Sequence, residues 1–193
     1  MTHIGQSIHN PVSGERITFL RTAEDTDGEL LEFELELAAD GRVPGAHVHP
    51  RQEERFEVLE GTMKFRVGLR TIVASAGDSV VVPAGRMHKF SNHGEQSARA
   101  RVEVVPALNM EELLRTTTQL AEEGKVTRSG MPKPLHLALF VRRFEREVRA
   151  PFPPAWMVRM LMAPLAAIAR KRGHAERYAT PAIDVHAPLP LPA

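Results

Sequence analysis

Residues 45–61 read GAHVHPRQEERFEVLEG. A glycine opens a turn, His47 and His49 follow one residue apart, a charged bend comes next, and a strand-like run ends on Gly61. Side chains at i and i+2 of extended backbone point to the same face, so both imidazoles look the same way. Parity then chooses between the two acids of the bend. With Glu54 inward, Phe56 and Val58 go in with it and Arg55 and Glu57 stay in water. With Glu53 inward, Arg55 and Glu57 would be buried, which is costly for charged groups. Glu54 is therefore the acid expected to join the two histidines.

A second stretch, GDSVVVPAGRMHKFSN over residues 77–92, supplies a third imidazole. His88 inward carries Phe90 with it and leaves Lys89 and Ser91 outside. Phe33, Phe56, Val58 and Phe90 are then the expected apolar walls. Three imidazoles and one carboxylate suit Zn, Fe, Mn, Ni or Cu, and the donor set does not choose among them. Taken singly, each histidine reads as an ordinary polar residue at a strand end. Together with Glu54 and the framing glycines, His47, His49 and His88 read as ligands of one divalent ion. His93 is expected in a solvated loop and His136 on a helix surface or in packing. His3, His9, His174 and His186 receive no role.

Outward from these stretches the first half of the chain is strand-like. Leu31, Phe33, Leu35 and Leu37 alternate with Glu32, Glu34 and Glu36, the period of a strand with one buried face. Short strand candidates follow at even spacing, with Gly61, Gly68, Gly77 and Gly85 between them, the pattern of a sandwich or barrel. The character changes at Pro106. Asn109 and Glu112 have capping-box spacing before a helix that stops at Gly124. Residues 134–148 place Leu137, Phe140, Val141, Phe144 and Val148 on one helical stripe behind Pro134. Residues 155–172 are apolar nearly all round, with Pro164 inside. Burial against the barrel or across a dimer is the preferred reading of that third helix, and a membrane-surface helix with basic ends is the other. Arg142, Arg143, Arg146 and Arg149 read as a solvated face. The expected organisation is a β-barrel over 1–108, a helical extension over 109–178, and a proline-rich, disordered tail over 179–193.

The chain has 193 residues and a formal charge of +1, which gives no overall pointer to nucleic acid. Residues 1–108 are net acidic and the remainder net basic, suggesting two parts that attract or an extension with its own partner. The absence of cysteine excludes disulfides, thiolate ligands and cysteine nucleophiles. The first sixteen residues show no basic region followed by an apolar core, and no apolar run reaches membrane-span length, so a cytoplasmic location is expected.

The two motifs, Gly41–His47–His49–Glu54–Gly61 and Gly77–Pro83–Gly85–His88–Asn92, resemble in spacing and order the paired motifs of the cupin superfamily. The resemblance covers roughly residues 41–92. It implies a mainly β fold, a double-stranded β-helix (jelly-roll) barrel that is usually a homodimer, here followed by an α-helical extension outside the family pattern. It also implies one divalent metal on His47, His49, Glu54 and His88, with Fe favoured and Mn, Ni, Cu or Zn as the other candidates. Within the superfamily the chain is most similar to stand-alone, quercetin-dioxygenase-like bacterial proteins. That likeness implies dioxygenase chemistry on a small organic substrate, with Glu54 as the ligand able to take a proton and so catalytic. A non-redox isomerase or cyclase, and a small-molecule-binding barrel without turnover, are the alternatives.

Overall fold

Strand β3 (Leu31–Leu37) shows why the barrel forms. Its leucines and Phe33 are buried while Glu32, Glu34 and Glu36 are only partly covered. It pairs antiparallel with β2 (Glu15–Arg21) on one side and β9 (Ala98–Val105) on the other. The outward glutamates meet cross-strand arginines there, with Arg99 Nη1 3.2 Å from Glu34 and Arg101 Nε 3.5 Å from Glu32. Inside, Ala100, Val102 and Val104 of β9 close over Leu35, Phe33 and Leu31.

The computed structural model describes residues 5–39, 41–43 and 45–179. The proline-rich tail expected over 179–193 lies outside the described residues, apart from Ala179. With β1 (Ser7–Asn10), β4 (Glu53–Glu60) and β7 (Ser79–Val82), the strands above make one antiparallel sheet of order β1-β2-β3-β9-β4-β7. A second sheet has order β6-β5-β8, from β5 (Thr62–Val67), β6 (Arg70–Ser75) and β8 (His88–Asn92). The inward faces share one core in which Phe56 sits edge-on to Phe65 and Phe90, each at 5.1 Å between ring centroids. The expected walls Phe33, Phe56, Val58 and Phe90 all belong to it.

The motif residues that bind nothing have structural reasons to be there. Gly61 turns β4 into β5 at φ +73°, and a Cβ on it would meet the Ala98 backbone at 3.0 Å. Both the backbone angle and the close approach favour glycine. Asn92 is buried and its amide nitrogen reaches the carbonyls of Leu37, Ala38 and Gln96 while its Oδ1 accepts from the Gly94 N–H. One side chain thus ties the end of β3 to the β8–β9 turn.

Three helices follow: α1 (Met110–Glu122), α2 (Pro134–Arg143) and α3 (Ala155–Lys171). Three sequence readings change here. The capping box does not form: Asn109 makes no side-chain cap, and instead its Nδ2 donates to Glu147 while Glu112 pairs with Arg143. Helix α2 stops at Arg143 rather than running to residue 148, and the chain turns so that Arg149 pairs with Val48. Helix α3 has its main packing partner in α2 rather than in the barrel. It lies against α2 through Ala166 and Ala169, with Met162 and Leu165 partly buried beside them. Small alanines allow a close helix contact on one stripe only, so the other apolar side chains of α3 stay outside it. Met110, Leu113, Phe140 and Phe144 meanwhile enter the barrel's own core.

Candidate metal centre

His47, His49, Glu54 and His88 come together although they lie on three separate segments. The 47–49 segment runs beside β8, where His47 and His88 exchange backbone hydrogen bonds of 2.9 Å each. Glu54 enters from β4, the neighbour of β9 and β7, with Phe56 and Val58 inward behind it and Arg55 and Glu57 in water, as parity requires. The four donor groups offer ligand atoms that all lie within 4.8 Å of one another. His49, Glu54 and His88 are at most 6 % exposed, whereas His47 is partly open.

The tautomers follow from the hydrogen bonds. His47 Nδ1 lies 3.0 Å from the Gly45 carbonyl, His49 Nδ1 2.5 Å from that of Glu147, and His88 Nδ1 3.3 Å from that of Arg86. A carbonyl only accepts, so each Nδ1 carries the proton and each Nε2 presents a lone pair. An imidazole that donates one ring N–H to a fixed acceptor and offers the other nitrogen is the usual arrangement of a metal-ligating histidine.

The Nε2 atoms face Glu54: His88 Nε2 is 2.8 Å from Oε2, and His49 Nε2 is 3.4 Å from Oε1. Despite that closeness, His49 Nε2, His88 Nε2 and Glu54 Oε2 are buried without a hydrogen bond of acceptable geometry. Buried polar atoms are normally satisfied, and three orphans converging on one point are what a ligand set for a cation looks like. The electrostatics agree. Burial, helped by His49 and His88, pushes His47 down to about 3, so it is neutral. Burial opposes the charge on Glu54, but His49 and His88 outweigh it and hold the carboxyl well below its usual range. Burial likewise opposes protonation of His49, and Glu54 with the Glu147 carbonyl outweighs it, so His49 is raised. The residues present fit one divalent ion.

Residues 33–105 match the sequence profile of the cupin domain family. Both sheets and the four-residue cluster lie on that frame. The β domain has the cupin fold. The match and the fold support a place in the cupin superfamily. Among solved structures, the chain is similar to a predicted oxalate decarboxylase from Thermotoga maritima, at 21% identity over 52% of this chain and 90% of that one, with a TM-score of 0.47. It is similar to an RmlC-like cupin from Shewanella frigidimarina at 21% identity, over 55% and 90% of the two chains, TM-score 0.46. It is also similar to the polyketide cyclase RemF from Streptomyces resistomycificus at 23% identity, over 54% and 78%, TM-score 0.45. No curated protein sequence matches the chain.

Two residues at this site carry no signal in the sequence. Glu147 is fully buried, and its backbone carbonyl holds His49 while its Oε1 accepts from the Asn109 N–H and Nδ2. In sequence it merely dilutes an arginine run; a contact made through a carbonyl leaves no trace in residue type. Gln52, also fully buried, donates from Nε2 to the carbonyls of Pro106 and Ala107 at 3.0 Å each, fixing the start of β4 to the exit of β9. His136 is a packing histidine, 3.3 Å from the Tyr178 hydroxyl and 4.8 Å in ring-centroid distance from His174.

Proposed function

We propose that the protein is a metal-dependent cupin that binds one divalent ion on His47, His49, Glu54 and His88 and performs oxygen-dependent chemistry on a small organic substrate. The observation that carries this reading is the convergence of three Nε2 lone pairs and an ionised carboxylate, with the histidine tautomers set by backbone carbonyls. Iron is the favoured ion because the sequence resembles quercetin-dioxygenase-like cupins; the donor set suits Zn, Mn, Ni and Cu as well. Such an ion, when bound, would bring an oxidisable substrate and dioxygen together at its open positions.

The protein's own residues do the remaining work. His47, His49 and His88 each turn Nδ1 to a backbone carbonyl, which leaves Nε2 of each for the ion. Glu54 is ionised at neutral pH and is the one acid of the set, so it can receive a substrate proton at Oε2, the oxygen without a hydrogen bond. Phe56, Phe65 and Phe90 exclude water from the barrel side of the cluster. Access falls to the side of His47, the least buried of the four. A homodimer is part of the same proposal and is inherited from the resemblance alone.

The test is elemental analysis of untagged protein, wild type against His49→Ala, followed by oxygen uptake with flavonol, diketone and thiol substrates. Near-stoichiometric iron lost in the variant, with oxygen consumed, supports the proposal. Zinc with turnover in the absence of oxygen would replace it with Lewis-acid isomerase or cyclase chemistry. No metal after reconstitution would sink both and leave a binding barrel.

A further inference from the structure

Helix α3 presents a stripe that no other described residue covers. Trp156, Met160, Pro164 and Ile168 recur every four residues along it, all exposed, with Trp156 at 58 % and Met160 at 61 %. Leu161 lies beside them at 56 %, and Phe152, in the loop before the helix, is 80 % exposed. Scattered apolar residues on a surface need no explanation, but a contiguous row with a tryptophan and a phenylalanine does.

Beside this row lies a cavity of about 210 Å³ lined by Arg51, Glu145, Arg146, Arg149, Ala155 and Arg159. That space is enough for a hydrated oxyanion. Arg159 answers Glu145 at 3.1 Å, which leaves Arg51, Arg146 and Arg149 around the space without an ion pair among the described residues. Nε and Nη2 of Arg146 are shut off from solvent with no partner, a costly arrangement for a cation unless an anion stands near. The arginine run that reads as a solvated face in the sequence is thus partly buried here. Ala155 and Arg159 belong both to the cavity and to α3, so the cationic hollow and the apolar row meet along one helix.

We propose that this face docks on an anionic lipid bilayer, with the cavity receiving a headgroup phosphate and Phe152, Trp156, Met160 and Leu161 entering the interface. Charge complementarity selects this occupant. Helix α3 and the residue after it carry Arg159, Arg170, Lys171 and Arg172 and no acidic residue, which complements an anionic surface. Aromatic and long apolar side chains with flanking cations are what an interfacial helix uses. No described helix is long and apolar enough to cross a membrane, so the contact lies in the plane of the bilayer. The cavity contains none of the four candidate metal ligands.

The experiment is co-sedimentation of the full chain with vesicles of phosphatidylcholine alone or with phosphatidylglycerol, alongside sedimentation velocity without lipid and calorimetric titration with inorganic phosphate. Binding to the anionic vesicles, at least tenfold weaker to neutral ones, is expected. Arg146→Gln and Arg149→Gln should each weaken it about fivefold. Trp156→Ser with Met160→Ser should abolish it while leaving metal content unchanged. Absence of binding to anionic vesicles overturns the proposal, as does binding that these variants leave intact. So does a lipid-free dimer that the Trp156/Met160 variant converts to monomer, which would give the face to a second copy. Phosphate binding without vesicle binding would reassign the cavity to a soluble anion and equally overturn docking.

Discussion

Removing metal from this protein should cost it several degrees of thermal stability, and the structure sets the scale. Three buried polar atoms, His49 Nε2, Glu54 Oε2 and His88 Nε2, have no hydrogen-bond partner. Each unmet buried group costs about 1–3 kcal/mol, so some 3–9 kcal/mol is recoverable by ligation. By mass action, an ion at a hundredfold excess over its Kd stabilises the fold by about 2.7 kcal/mol, within that reserve. For a chain of this size each kcal/mol moves the midpoint by about 2–4 °C, giving an expected rise of roughly 5–11 °C. The assay is differential scanning calorimetry of untagged protein after chelation, then with anaerobic Fe(II), Mn(II), Ni(II) or Zn(II) restored. His49→Ala and His88→Ala should show no metal-dependent rise. A shift below about 1 °C with every ion would refute the reasoning, as would an equal shift in both variants, because the orphaned atoms would then be doing something other than awaiting a cation.

Three further outcomes follow from groups away from the cluster. Burial raises the Glu15 carboxyl to about 7, partly offset by the Ser13 hydroxyl that donates to it. The fold therefore favours the protonated form: below pH 4.5 there is no cost, stability falls between 4.5 and 7 as the unfolded chain ionises first, and the full cost stands above 7. Glu15→Gln should then raise urea stability at pH 8 by up to about 3 kcal/mol, with the gain nearly gone at pH 4.5; a gain independent of pH would contradict this. Asn92→Ala removes the clamp on Leu37, Ala38 and Gln96 and should cost about 2–3 kcal/mol in the same assay. Phe144→Ala empties a fully buried site 4.9 Å from the Phe140 ring and should cost about 3–5 kcal/mol. Because that site lies in the barrel core, unfolding should remain one transition, and a separate early transition for the helices would count against the shared core.

The barrel and the cluster were legible because strand geometry has period two. Once Glu54, Phe56 and Val58 are placed on one face, Arg55 and Glu57 are forced to the other, and the structure keeps that division. The same parity put His88 and Phe90 inside. The helices were legible in existence and less so in use. Periodicity found α1, but Asn109 prefers the Glu147 carboxylate to its own helix end. The apolar stripe of residues 134–148 did not reveal that the chain would leave the helix after Arg143, because the competing gain is a pair of backbone bonds to Val48, 2.9 Å each, made by a residue distant in sequence. Apolar character alone did not place α3 against α2: hydrophobicity says that a surface will be covered, and not by what.

The resemblance to known barrels ends near residue 105, yet the environment of the metal centre does not end there. His49 keeps its tautomer through the Glu147 carbonyl, Glu147 is fixed by Asn109 at the start of α1, and Phe140 and Phe144 fill the core on which the cluster rests. A ligand whose acceptor is displaced loses orientation even when every ligating residue is present, and such partners typically govern metal affinity by ten- to a hundredfold. The helical extension thus contributes to the candidate site through a carbonyl, a buried carboxylate and two phenylalanines, none of them among the four candidate ligands. The same turn after α2 that delivers Glu147 also places Arg146 and Arg149 at the outer cavity. The segment after α2 therefore supplies both the carbonyl that holds His49 and two arginines of the outer cavity.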